Sequence, residues 1–68
     1  MLDARGLSCP QPVLMLKKAM ADNGDKYEII VDNVTAKENI TRFAVNSGYN
    51  VSVTEQNDDY VLSVARKK

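Results

Sequence analysis

Cys9 is the only cysteine in this chain of 68 residues, and it stands in Ser8-Cys9-Pro10-Gln11-Pro12. Proline holds φ near the helical value and lacks the amide proton that a first helical turn leaves unpaired. Pro10 and Pro12 therefore read as a stiff turn that opens a helix, with Cys9 at or just before its start. Backbone amides at such a position point outward without partners, and the helix dipole adds positive potential. Both favour the thiolate, so the Cys9 pKa is expected below the ordinary cysteine value of about 8.5. A thiolate attacks sulfur and accepts it, and the same amides would hold a persulfide anion. Arg5 is a candidate source of further positive charge. The physics leaves a second reading open, in which Cys9 is a small buried hydrophobe that happens to begin a helix.

What the chain lacks narrows the chemistry. With no second cysteine there is no internal disulfide and no resolving thiol to attack a mixed disulfide on Cys9. With no histidine there is no Cys-His pair, and a zinc site built from several Cys and His ligands is excluded. Asp3, Asp22, Asp25 and Asp32 form no recognisable carboxylate pair, and no glycine-rich phosphate loop is present. No cofactor is expected. Sulfur placed on Cys9 would wait until another protein's thiol, or a substrate, removed it, which is how a carrier behaves.

Length and charge point the same way. A chain this short is expected to form one domain over residues 1–68. A domain of this size buries only about 60% of the surface its unfolded chain exposes. That leaves no room for a deep substrate cavity, so chemistry belongs at an exposed edge with a partner protein completing the site. Nine basic and nine acidic side chains cancel, which argues against direct nucleic-acid binding. Arg66-Lys67-Lys68 reads as a solvated tail. No long apolar stretch suggests a signal peptide or a membrane span, so the expected location is the reducing cytoplasm.

The elements that must position Cys9 can be read from periodicity. Leu2 to Arg5 alternates and reads as a first strand, and Gly6 permits a bend after it. Pro10 to about Asp22 reads as a helix with Val13, Leu16 and Met20 on its apolar stripe and Asn23-Gly24 as its stop. Tyr27 to Val31 is rich in β-branched residues and reads as a second strand, closed by Asp32-Asn33. Thr35 and Glu38 fit a capping box for a second helix, with Ala36, Ile40, Phe43, Ala44 and Ser47 on one face and Gly48 as its end. Tyr49, Val51 and Val53 alternate with polar residues, as do Tyr60, Leu62 and Val64. The polar turn Gln56 to Asp59 joins them into a hairpin. The order β-α-β-α-β-β implies an α+β fold, a two-layer sandwich with two helices on one face of a four-stranded mixed sheet. Glu28, Ile30, Ser52, Thr54, Val61 and Ser63 would form its far face.

Leu2-Asp3-Ala4-Arg5-Gly6-Leu7-Ser8-Cys9-Pro10-Gln11-Pro12 closely resembles the signature of the TusA-like sulfur carriers, also called SirA-like or YedF-like: Cys-Pro-x-Pro after Leu-Asp-x-x-Gly-Leu-x. The likeness continues through Val13 to Ala19 and returns at Asp32 to Ile40, so it covers nearly the whole chain. The wording at the second helix looks closest to the YedF branch, which is often linked with selenium metabolism. Val34 stands where an Asp-Asp-Pro-Ala pattern would put proline, which counts against a specific role in tRNA thiolation. The resemblance implies the same β-α-β-α-β-β sandwich. It implies that Cys9 takes sulfur as a persulfide from a cysteine desulfurase or a rhodanese and passes it to an acceptor protein, as a sulfurtransferase-type carrier that does not turn over alone. Family outlets include tRNA thiolation, sulfur oxidation and cofactor assembly. Gly6, Leu7, Pro10 and Pro12 match the motif's shaping positions.

Leu14 and Met15 lie off the main stripe of the first helix and near Cys9 in sequence. They are candidates either for a docking patch or for partial burial against a loop. Lys17 and Lys18 read as a solvated face, and Lys37, Glu38 and Arg42 as helix-spaced charge pairs. Two further functions compete with sulfur carriage. One is a regulatory or interaction module without sulfur chemistry. The other is RNA binding through the sheet, which the zero net charge and the few aromatics, Phe43 and three tyrosines, disfavour.

Overall fold

Alternating apolar residues in the strands and a helical stripe between them produce the expected element order. The computed structural model describes residues 1–7, 11–22 and 24–67. The elements are β1 (Leu2–Asp3), α1 (Gln11–Met20), β2 (Lys26–Val31), α2 (Val34–Asn46), β3 (Tyr49–Gln56) and β4 (Asp59–Arg66). The strands form one mixed sheet in the order β1-β2-β4-β3. β1 runs parallel to β2, while β4 is antiparallel to both β2 and β3.

Residues opposite one another on neighbouring strands share a face of the sheet. The register therefore groups Leu2, Ile29, Leu62 and Val53 in one row, and Tyr27, Val64 and Val51 in the next. This is the helix-covered face. Ile29, Val31, Leu62 and Val64 on the two central strands are fully buried, together with Leu16 of α1 and Ile40 and Ala44 of α2, and Ala36 is nearly so. Toward the β3 edge the cover thins, and Val53 is 43% exposed. The opposite face carries Glu28, Ser63 and Ser52 in one row and Ile30, Val61 and Thr54 in another, as the alternation implied.

Several boundaries differ from the sequence reading for local reasons. β1 stops at Asp3 rather than Arg5 because the chain turns at once: the Leu7 amide donates to Ala4 O at 3.3 Å, and Gly6 has φ +78°. A left-handed third residue with an ordinary second one is a type II turn, which favours glycine there. α1 ends at Met20, after which the Ala21 and Asp22 amides make tighter i to i−3 bonds to Lys18 and Ala19. The cap of α2 is Asn33, not Thr35. Asn33 is extended (φ −152°, ψ 157°) and its Oδ1 accepts the Ala36 amide at 2.7 Å. Thr35 therefore lies inside the first turn. The hairpin uses only Asn57-Asp58 between β3 and β4, with Asn57 in the left-handed region that asparagine tolerates.

One consequence of this topology positions the site. α1 follows β1 and α2 follows β2, and those strands are parallel. Both helices therefore begin at the same end of the sheet, where Gly6, Leu7 and Asp32 also lie.

Candidate functional site

The site forms where the chain leaves β1, makes the Ala4–Leu7 turn and enters α1. Cys9 and Pro10, like Ser8, lie outside the described residues; the segments that hold them on either side are described. On the near side the Gly6 amide donates to Asp32 Oδ2 at 2.9 Å, and Leu7 is half-buried against the core. On the far side Pro12 is fully buried in the first turn of α1 and Leu16 follows one turn later with no exposure. Gly6 thus supplies the turn, and Leu7 and Pro12 are packed into the core on either side of residues 8–10.

Asp32 also accepts from Asn33 Nδ2, at 3.0 Å through Oδ1. The Gly6 amide is the main reason its carboxyl lies below the usual carboxylate range, with the Asn33 bond second. No motif in the sequence points to this residue as part of the site. Its partner is twenty-six positions away, and nothing local in the sequence marks the pair.

Arg5 is differently employed from the expectation that it supplies free positive charge. Its Nη2 and Nε donate to the two Asp3 carboxylate oxygens at 2.9 and 3.0 Å, and Nη1 reaches Asp59 Oδ2 at 3.4 Å. Its single positive charge is therefore already engaged by two carboxylates. The bond from Arg5 holds Asp3 down to about 2, and the same bond raises Arg5. Because these groups are exposed, the contribution to stability is small and screened by salt. Its sign is fixed. A carboxyl with a folded pKa below its unfolded value near 3.9 adds stability above about pH 4, lost as pH falls toward about 2. Urea midpoints should therefore fall across that window, and less steeply in Asp3→Asn; an unchanged slope would show that the Arg5–Asp3 pair adds nothing.

The two apolar docking candidates separate. Leu14 is 51% exposed, whereas Met15 is half-buried and packs on the core. Neighbouring helix positions differ by about 100°, enough to turn one side chain outward and the next inward. Val34, at the start of α2, is also exposed at this end of the molecule. Its position off the Ala36-Ile40-Ala44 stripe was the available signal. Lys17 and Lys18 are exposed, as expected. Lys37 lies 4.8 Å from the Tyr60 ring centroid, and among the described residues no ion pair joins Glu38 to Arg42.

No group of three metal-ligating side chains occurs among the described residues, and no described helix is long and apolar enough to cross a membrane. An open depression lined by Leu2, Ala19, Asp22, Lys26, Tyr27 and Glu28 lies at the other end of α1, away from the motif.

Residues 1–67 match the family model described as sulfurtransferase TusA. This chain belongs to the TusA family. It is 41% identical over 68 residues to a candidate sulfur carrier protein of Methanocaldococcus jannaschii, covering 97% of this chain and 91% of that one. It is 32% identical over 69 residues to the sulfur carrier protein TusA of Pseudomonas aeruginosa, covering 98% and 87%. The crystal structure of a SirA-like protein from Desulfitobacterium hafniense superposes with a TM-score of 0.89 at 30% identity, over 98% of this chain and 96% of that one. The TusA-family sandwich is therefore the fold reached above from periodicity.

Proposed function

We propose that this TusA-family protein is a sulfur carrier in which Cys9 receives a sulfur atom as a persulfide and relays it to an acceptor protein. The observation that carries the reading is the sole thiol of the chain, set in Cys-Pro-x-Pro where α1 begins. The family match and the names of the relatives support it.

The transfer balances without a cofactor. The Cys9 thiolate attacks the outer sulfur of a donor persulfide. The donor's S–S bond breaks, its thiolate leaves, and a new S–S bond forms on Cys9. Release repeats the exchange in the other direction: an acceptor thiolate takes the outer sulfur and Cys9 leaves as thiolate. No net oxidation occurs in either step. The donor is a cysteine desulfurase or a rhodanese-type protein.

A small two-layer sandwich with the motif between β1 and α1 suits exchange between proteins. Leu14, exposed one turn into α1, is the apolar contact we assign to docking, while Met15 serves the core. The test is to incubate the protein with a cysteine desulfurase and cysteine and take its intact mass. The reading requires a gain of one sulfur atom per chain that a reducing thiol removes. No gain from either donor class would contradict it.

A further inference from the structure

We infer that Asp32 is a positioning residue for the Ala4–Leu7 turn that leads into Cys9, an inference that rests on the sulfur-carrier reading. Its backbone follows directly from Val31, which is fully buried at the end of the central strand β2. The carboxylate therefore projects from a fixed point. One oxygen takes the Gly6 amide at 2.9 Å, three residues before Cys9 in the chain, and the other takes Asn33 Nδ2 at 3.0 Å. Asn33 in turn caps α2 by accepting the Ala36 amide through Oδ1 at 2.7 Å. The turn that leads into the cysteine motif and the N-terminus of α2 are thus tied to a single side chain.

The chemistry calls for a carboxylate. Both partners of Asp32 are donors, and an ionised carboxylate accepts through both oxygens. An asparagine at this position has one oxygen and one NH2 group. With its oxygen on Gly6, its NH2 would face the Asn33 NH2, and Asn33 cannot turn over without giving up the α2 cap. Asp32→Asn therefore keeps one arm of the tie, and Asp32→Ala keeps neither. The turn closes on one long backbone bond, Leu7 N to Ala4 O at 3.3 Å, so the bond from Gly6 N to Asp32 is a second tie on it. Misplacing a reacting group by about 1 Å can cost up to about a hundredfold in rate, so a looser turn should be visible in Cys9 chemistry.

The experiment compares sulfur loading from a cysteine desulfurase in the full chain and three variants, with urea midpoints taken alongside. Asp32→Ala should load about tenfold or more slowly and Asp32→Asn should lie between it and the parent. Asn33→Ala removes the α2 cap but keeps the Gly6 bond. It should lower the midpoint as much as Asp32→Ala yet load within about twofold of the parent. Loading that tracks the midpoint in all three variants would reduce Asp32 to a structural role and overturn the inference. Iodoacetamide alkylation of Cys9 provides a readout that needs no donor. If the parent never loads but alkylation follows the same order, positioning stands and the carrier reading falls. If the parent loads and Asp32→Ala loads and alkylates equally fast, the carrier reading stands and positioning falls. Equal acceleration in Asp32→Asn and Asp32→Ala would mean that only the negative charge matters, and that too would overturn it.

Discussion

Cys9→Ser should take up no sulfur at all, rather than take it up slowly. A persulfide needs a sulfur atom to be built on, and the chain contains no other cysteine to substitute. Its methionine sulfurs are thioethers, which have no thiolate form and cannot perform the exchange. The serine hydroxyl has nearly the shape of the thiol, so the variant removes chemistry more than packing, and circular dichroism on the same sample checks this. Incubation with a cysteine desulfurase should leave the mass of Cys9→Ser unchanged under conditions that load the parent fully. The same variant separates the carrier from a regulatory module. A carrier cannot function in the cell without its thiol, whereas an interaction module would complement as well as wild type.

Leu62→Ala should bring the largest loss of stability. Leu62 has no exposure and sits on β4, inside the sheet, opposite Ile29 on one side and Val53 on the other. Truncating a leucine in such a place costs about 2–5 kcal/mol, the lost transfer energy plus the cavity left behind. A domain of this length holds roughly 3–10 kcal/mol in total, so the change removes a large share of it. The urea midpoint should drop steeply, and at the lower end of that range the variant unfolds in water. Val53→Ala lies in the same row but on the edge strand, at 43% exposure. It should cost less than about 1 kcal/mol. Equal losses at the two positions would mean that the core does not lie over β2 and β4 as described.

Much of this architecture was legible because its signals are local. A period of two in Tyr49 to Thr54 and in Tyr60 to Val64 marks strands, and the spacing of Ala36, Ile40 and Ala44 marks the buried face of α2. What stayed hidden depends on distant partners or close competitors. Asn33 and Thr35 are both good capping residues, and the pattern Thr35 to Glu38 favoured the second. β2 pairs through Val31, so only Asp32 and Asn33 remain before the helix starts, and Asn33 takes the Ala36 amide. The insertion of β4 between β2 and β3 is a non-local choice that no short window reveals.

The same distinction holds at the site. Gly6 was readable as a bend, because few residues other than glycine suit a left-handed turn position. Arg5 was readable as a cation close to Cys9 in sequence, but not as one already engaged by Asp3 and by Asp59 from the far end of the chain. Leu14 and Met15 were indistinguishable until packing turned Met15 toward the core. The role of Cys9 rests on motif and residue type, which are properties of the sequence alone.

The most direct measurement loads the wild-type protein with sulfur, separates it from the donor and maps the added atom by peptide fragmentation before and after an acceptor thiol is supplied. One extra sulfur is expected on the fragment that contains Cys9, gone after the chase and recovered on the acceptor. Sulfur found on any other fragment, or held on Cys9 and never surrendered, would contradict the carrier reading.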